Sequence, residues 1–233
     1  MKELKANLVY LMYDHRYSIT VFWSVLVAST AILFAVSYFI SEAHMGLSLS
    51  LAIYIFCGIT GFVLTKETFP YLIKLGSTRN VFLLSSIVFN VLLAVFMSAV
   101  AVGVDQIVKV VVKVANVVNF QVFNMLEGTT LASTWYNEIL LNIVICFLML
   151  SFGFMLGAVF YRLGLVGGFS GIILLVFIII FPETRTLLVD TFIKINDSKL
   201  EIPFGSLILL SILPVLPIWL LLRKASTIAN VTR

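Results

Sequence analysis

Charged residues are scarce in this chain of 233 residues, where aspartate, glutamate, lysine and arginine occupy 11% of the positions. Soluble domains carry about a quarter charged residues, so an ordinary soluble fold is excluded. The two cysteines, Cys57 and Cys146, both fall inside predicted membrane spans. The two histidines, His15 and His44, fall on opposite sides of the predicted membrane. The sequence therefore offers neither a disulfide framework nor a metal site.

The sequence also lacks the motifs of nucleotide chemistry and hydrolysis. No GxxxxGK[ST] phosphate-binding loop occurs, and neither HExxH nor GxSxG is present. The predicted spans are almost free of ionisable side chains, which ion-driven transporters use at mid-membrane to bind a coupling ion. The net charge of +4 is spread over loops and termini, so no nucleic-acid surface is expected. We therefore predict no catalytic residue, and no ion-driven carrier.

Long apolar runs dominate what is present. Apolar residues make up 61% of the chain, and the mean hydropathy is +1.14. Six runs match the length needed to cross a hydrocarbon core of about 30 Å. We predict an all-α integral membrane protein with six transmembrane helices in a single domain covering 1–233. The predicted spans are 18–40, 47–64, 81–104, 135–161, 165–181 and 204–222.

The segments outside the spans differ in character. Residues 1–17 carry leucines at helical spacing between charged positions, which predicts an amphipathic helix on the inner membrane surface; a frayed basic terminus is the alternative. The outer loop 105–133 begins with a valine-rich run that suits either an amphipathic helix or a strand, and the helix is favoured. A second outer loop is predicted at 182–203.

The basic residues orient the chain, because lysine and arginine are enriched in cytoplasmic loops. With both termini inside, ten basic residues fall on the inner side and five on the outer side. The inner residues are Lys2, Lys5, Arg16, Lys66, Lys74, Arg79, Arg162, Arg223, Lys224 and Arg233. The outer residues are Lys109, Lys113, Arg185, Lys194 and Lys199. We therefore predict a multi-pass protein of the cytoplasmic membrane with both termini in the cytoplasm.

Glycines recur within and between the fourth and fifth predicted spans. The residues concerned are Gly153, Gly157, Gly164, Gly168 and Gly171. Several of them stand four positions apart, which places small residues on one helix face and allows two membrane helices to approach closely. We predict that these glycines pack the fourth span against the fifth.

The polar segment 65–80, TKETFPYLIKLGSTRN, separates the second and third spans. Thr68 is the predicted N-cap of a short helix that has Pro70 in its first turn. Gly76 is expected to end that helix, and Thr78 or the serine before it to cap the helix that follows. The segment is basic and should face the cytoplasm.

The stretch FPYLIKLGSTRNVFLLSSIVFN resembles the first cytoplasmic loop of the ABC type-2 transporter permeases. Both have an aromatic–proline pair, a short helix, a Leu-Gly-Ser-Thr-Arg-like turn and an aromatic residue opening the third span. The matching positions are Phe69, Pro70, Tyr71, Leu75, Gly76, Thr78 and Arg79. In that family this element is the coupling helix, which docks into the ATP-binding subunit. The resemblance implies that these residues bind the partner. We expect Phe69, Tyr71 and Leu75 to form an apolar knob flanked by Lys74 and Arg79; the alternative is that these two basic residues only hold the loop inside and contact lipid headgroups.

The resemblance also implies a function and a set of partners. The chain would be the permease of an ATP-driven exporter, with two ATP-binding subunits and a second permease subunit, identical or paralogous. ATP and Mg would bind on the partner, and this chain would hold no cofactor. The apolar spans suggest contact with membrane lipid and an amphipathic or hydrophobic cargo, such as a peptide, lipid or drug. The alternative is a non-transporting membrane protein, such as a bacteriocin-immunity factor or a scaffold.

The predicted topology can be tested by labelling with an impermeant thiol reagent. We expect the substitution Ser198→Cys, in a background without the two native cysteines, to react in intact cells, because 182–203 is predicted outside. Ser77→Cys should react only after the membrane is opened. Labelling of the Ser77 variant in intact cells would contradict the predicted orientation.

Overall fold

The computed structural model describes residues 2–40, 45–117, 119–182, 194–196, 199–201 and 204–223. Its α-helices are α1 (Lys2–Phe39), α2 (Leu49–Val63), α3 (Phe69–Lys74), α4 (Arg79–Val114), α5 (Trp135–Ile180), α6 (Phe204–Ile212) and α7 (Val215–Arg223). The strands are β1 (Met45–Leu47), β2 (Phe120–Val122), β3 (Lys194–Asn196) and β4 (Lys199–Glu201). His44, most of the predicted loop 182–203, Lys224 and Arg233 lie outside the described residues.

Within the described residues, five helical stretches are long and apolar enough to cross a membrane, which confirms a helical, membrane-type protein. They are Lys2–Phe39, Leu49–Lys74, Arg79–Val114, Trp135–Ile173 and Phe204–Arg223. The count is one below the six predicted, because the fourth and fifth predicted spans both fall within α5.

The first helix, α1, is continuous over 38 residues, or roughly 57 Å. The separate interfacial helix predicted at 1–17 is therefore the first part of this same helix. Asn7, Leu11 and His15 are buried and stand four residues apart, so one stripe of α1 faces the rest of the chain. The polar–apolar pattern reflects contact with other helices, and sequence periodicity does not distinguish such contact from contact with a membrane surface.

The chain turns back on itself within α5, at Gly164. This residue has φ +70° and ψ −170°, a conformation open to glycine and strained for other residues. A Cβ atom on Gly171 would lie 3.4 Å from Val159 Cγ1, whereas a straight helix holds residues 12 positions apart at about 18 Å. The centroids of the Phe160 and Phe169 rings likewise lie only 5.7 Å apart. Gly164 is therefore a turn residue. A Cβ atom added at Gly164 would meet no other atom within 4 Å, whereas one added at Gly171 would contact Val159.

The closest helix contact joins α2 to the first leg of α5. A Cβ atom on Gly157 would lie 2.5 Å from the carbonyl oxygen of Phe62, and Cβ atoms on Gly61 and Gly153 would overlap backbone carbonyls of the facing helix. The two backbones are in direct contact, which larger residues at these positions would prevent. Gly153 and Gly157, expected to pack the fourth span against the fifth, therefore pack it against α2.

Side-chain hydrogen bonds set the register of the same contact. The Tyr54 hydroxyl of α2 donates to Asn142 Oδ1 of α5 at 2.5 Å. The Thr65 hydroxyl donates to the backbone carbonyl of Phe154 at 3.0 Å. The first bond lies in the first half of α2 and the second just beyond its end, and both are buried. A polar group that finds its partner on the neighbouring helix avoids the cost of burial without a hydrogen bond.

The core lies where α2, α4 and α5 meet. Phe82, Met97 and Leu150 are fully buried there. Cys57 and Cys146 are neighbours across the α2–α5 contact and remain free thiols. Their burial among apolar side chains agrees with their expected place inside spans and gives them a packing role.

The segment 65–80 departs from prediction at its start. The residues Leu64–Thr68 form a π-helical turn that continues α2 into α3, and Thr68 has helical dihedrals with no capping hydrogen bond. The Phe69 N–H bonds to the Leu64 carbonyl, five residues back. Pro70 has no N–H, and its ring clashes with the carbonyl four residues earlier in a regular helix; a wider turn relieves that clash. The predicted N-cap at Thr68 is therefore wrong.

The region 105–133 contains a helical part and a short strand. The valine-rich run is helical and extends α4 to Val114. Strand β2 lies further along and pairs in parallel with β1. Asp105 joins the two parts, because its carboxylate accepts from Asn124 Nδ2 at 3.1 Å and pairs with Lys109 Nζ at 2.8 Å. The favoured helix is confirmed for the first part of the region.

Several helix ends lie together at one end of the bundle. Asn7 Nδ2 donates to Ser77 Oγ at 2.7 Å, so α1 begins beside the turn that follows α3. The Arg79 guanidinium donates to the carbonyl of Arg223, so α7 ends there too. We call this end, defined by these four residues, the basal end. Both the first and the last described helices therefore have a terminus at the basal end.

The α2–α5 contact predicts unequal effects of two glycine substitutions. Gly153→Ala should lower the unfolding free energy in detergent by about 1–3 kcal/mol, because its Cβ meets backbone that cannot move aside easily. Gly103→Ala is the control, since no atom lies within 4 Å of a Cβ at that exposed helical position. The control should be neutral or stabilising by up to about 1 kcal/mol. Equal melting temperatures for the two variants would contradict the close contact.

Candidate functional site

The short helix α3 and the turn after it project at the basal end. Leu75 is 64% exposed and Tyr71 is 48% exposed, both large values for apolar side chains. Lys74 and Gly76 are exposed beside them. We call these four residues the tip. The structure therefore brings four of the predicted partner-binding residues together on one accessible surface.

The tip ends in the geometry that its sequence predicts. Gly76 has φ +93°, and its N–H bonds to the Ile73 carbonyl at 3.0 Å. The Ser77 N–H bonds to the Leu72 carbonyl at 3.0 Å, which completes a Schellman motif. Thr78 Oγ1 then accepts from the Val81 N–H at 3.4 Å and caps α4. The predicted helix stop at Gly76 and the predicted N-cap at Thr78 are confirmed.

Phe69 lies in the core and not on the tip. It is 0% exposed, with its ring 5.0 Å from that of Phe82 in α4 and 5.3 Å from that of Tyr161 in α5. Leu72 is buried on the same face of α3, and Pro70 is half-buried. Phe69 therefore attaches the tip to α4 and α5 and is not accessible to a partner in this structure.

The start of α1 supplies part of the site that the sequence did not indicate. The Tyr10 ring stacks on Tyr71 with centroids 5.2 Å apart and planes 20° from parallel. Asn7 holds Ser77 by the hydrogen bond already described. In the sequence Asn7 stands among the polar positions between the leucines, so no sequence pattern indicated its contact with Ser77.

A cleft of about 360 Å³ lies between α1 and the tip. Its lining is Glu3, Ala6, Asn7, Tyr10, Leu72, Leu75, Gly76 and Ser77. Partial burial raises the pKa of the Tyr10 hydroxyl, with the Asp14 carboxylate and then Tyr71 adding to the effect. Tyr10 lies outside the apolar stretch 18–40 and stays protonated at neutral pH. The cleft is therefore bordered by a neutral ring able to donate a hydrogen bond.

Arg79 points away from the tip. Its guanidinium donates to the carbonyl of Arg223 at the end of α7. Arg162, from the turn within α5, donates to the carbonyls of Leu220 and Leu221 at 3.0 and 3.4 Å. The last carbonyls of a helix have no partner within it and carry its negative dipole end, so both arginines act as C-caps of α7. The described hydrogen bond of Arg79 thus reaches the last helix.

Comparison with known proteins adds no relative: no family model, no curated protein and no solved structure matches the chain. Among the residues that the structure describes, no three histidine, cysteine, aspartate or glutamate side chains come together as a metal site. The tip, the adjoining cleft and the start of α1 form the candidate functional surface. This surface can bind another macromolecule through exposed apolar side chains bordered by a lysine.

Because Phe69 is buried and the tip is exposed, removing the Phe69 side chain should lower the free energy of unfolding far more than removing a tip side chain. Phe69→Ala should cost about 3–5 kcal/mol of unfolding free energy, because it leaves a cavity between three helices. Leu75→Ala should change stability by less than about 0.5 kcal/mol, since that side chain is mostly exposed. Thermal unfolding in detergent measures both variants. A Phe69 variant as stable as the Leu75 variant would contradict the described packing.

Proposed function

We propose that this chain is the membrane subunit of an ATP-driven exporter and that the tip receives movement from a separate ATP-binding subunit. The tip supports this proposal because it is an exposed apolar surface in the segment that resembles a coupling helix. Membrane helices that present apolar side chains to water usually do so for a partner. Tyr71 and Leu75 would enter a cleft on the ATP-binding subunit, with Lys74 facing acidic groups at its edge.

The proposed architecture has six membrane crossings, of which α5 supplies two. The first helix begins at the basal end and the last helix ends there. A path that starts and finishes on the same side of a membrane crosses it an even number of times. Five stretches give an odd number, and the reversal at Gly164 supplies the missing one. The basal end would face the cytoplasm, as the distribution of basic residues predicts.

The attachments of the tip indicate how movement would spread. The helix α3, which carries the tip, continues α2 through the π-helical turn and contacts α4 and α5 through Phe69. It contacts α1 through Tyr71, and Ser77 in the turn after it also contacts α1. A displacement of the tip would therefore tilt several helices together. Nucleotide-driven closure of two ATP-binding subunits would shift a pair of such permeases between inward- and outward-facing states.

The partners follow from this arrangement. Two ATP-binding subunits would carry ATP and Mg, and a second permease subunit, identical or paralogous, would complete the pathway. The cargo would be amphipathic or hydrophobic, since the helices offer largely apolar surfaces. A non-transporting scaffold or immunity protein would keep the same fold without needing an ATP-binding partner.

The test introduces a negative charge on the tip and then measures copurification of the partner. We expect Leu75→Glu to lower the recovery of an ATP-binding-cassette subunit with the tagged protein from native membranes. An apolar anchor commonly contributes 2 kcal/mol or more, or about thirtyfold in affinity. Lys74→Glu should weaken binding further by replacing an attraction with repulsion.

Lys113→Glu is the matched control, because it reverses an exposed lysine at the far end of α4. It should retain the ATP-binding subunit and its stimulated ATP hydrolysis. If the tip variants reach the membrane and recover the subunit as well as the control does, the tip is not the coupling surface. If no ATP-binding-cassette subunit copurifies with the unaltered chain, the scaffold function is favoured.

A further inference from the structure

Three arginines from distant parts of the sequence gather around the last turn of α7. Arg79 begins α4, Arg162 precedes the reversal within α5, and Arg223 ends α7. The first two donate to backbone carbonyls in that last turn. The guanidinium of Arg223 lies 5.0 Å from the centroid of the Trp219 ring. The fold thus builds a basic cluster that no local sequence pattern indicates.

The positive charge of this cluster exceeds what the helix end requires. A helix C-terminus carries the equivalent of about half a negative charge, whereas the guanidinium groups of Arg162 and Arg223 alone carry two positive charges. Among the described residues, no carboxylate forms an ion pair with Arg162 or Arg223. Both of these side chains are exposed. The cluster therefore retains net positive charge for an anion from outside the chain.

Arg162 and Arg223 also keep hydrogen-bond donors. A guanidinium has five N–H groups in a planar fork, which suits the oxygens of a phosphate. Both described bonds of Arg162 use the same nitrogen, Nη1. Arg223 rests against the Trp219 ring, and its side chain makes no other described contact. Arg162 and Arg223 thus both keep N–H groups that can donate to a phosphate at the end of α7.

An apolar stripe leads up to the cluster. Leu216 and Leu220 are 70% and 59% exposed and precede Arg223 by seven and three residues, so all three lie on one face of α7. The position of Trp219 suits the membrane–water interface, where such rings concentrate. The stripe and the arginines match the two parts of a phospholipid, an acyl chain and a phosphate at its head.

We infer that the cluster binds the phosphate of an anionic phospholipid at the basal end of the bundle. Basic groups between membrane helices at the headgroup level are suited to such lipids. The acyl chain would follow Leu216 and Leu220, and the phosphate would meet Arg223 and Arg162. The site is independent of the proposed exporter function, because it requires only that the basal end lies at a membrane surface.

The experiment adds phosphatidylglycerol or phosphatidylcholine to the full chain, purified in a neutral detergent. Native mass spectrometry counts bound lipid, and the melting temperature reports stabilisation. We expect phosphatidylglycerol to bind more tightly than phosphatidylcholine. Arg223→Gln should weaken that binding about fivefold, the usual effect of one basic residue near an anionic surface. This variant keeps the backbone carbonyl that accepts from Arg79, so the capping of α7 is preserved.

Two further variants separate a site from general surface charge. Lys113→Gln removes one exposed basic residue at the other end of α4 and should leave phosphatidylglycerol binding unchanged. Arg223→Lys keeps the charge but not the planar fork, and it should lose less binding than Arg223→Gln. Equal losses in Arg223→Gln and Lys113→Gln, or equal binding of the two lipids, would overturn the proposal.

Inorganic phosphate distinguishes the source of the ligand. It shares the oxygens of the headgroup but has no acyl chain to lie on the stripe. We expect it to give no stabilisation at concentrations where phosphatidylglycerol is saturating. Equal stabilisation by inorganic phosphate, lost in Arg223→Gln, would overturn the assignment to lipid in favour of a soluble phosphate compound.

Discussion

Direct backbone contact between α2 and α5 is the constraint on which the rest of this structure depends. Within a membrane the hydrophobic effect does not drive helices together, so association depends on close packing and interhelical hydrogen bonds. Gly61, Gly153 and Gly157 remove the side chains that would separate the two helices. The hydrogen bonds of Tyr54 and Thr65 then fix their register. A core of large side chains from α4 closes over this pair.

The positions of the functional elements follow from that contact. Because α2 is held against α5, its continuation into α3 brings Phe69 against Tyr161 and Phe82. The exposed tip is therefore the outer face of a short helix whose inner face is core. The reversal at Gly164 returns α5 along itself, and Arg162 beside that turn reaches the end of α7. One end of the bundle thus collects the tip, the start of α1 and the basic cluster.

The two surfaces at the basal end have different chemistry and suit different partners. The tip presents Tyr71 and Leu75 with a lysine, a combination suited to a protein cleft with an acidic edge. The arginine cluster stands at the end of an apolar stripe and suits a phosphate at the membrane surface. They are joined through α4, which begins with Arg79 and packs against Phe69. Binding at either surface would therefore act on the same helix, although each can be tested without the other.

Local sequence determined the membrane class, the helical character, the helix stop at Gly76 and the helix start at Thr78, because composition and capping depend on residues close together in the chain. It also singled out all four residues of the tip. Tertiary structure alone decided that Phe69 is buried, that Gly153 and Gly157 face α2 and that Arg79 caps the last helix. Each of these depends on a partner far away in sequence, and a periodic pattern shows which face of a helix is covered without showing what covers it.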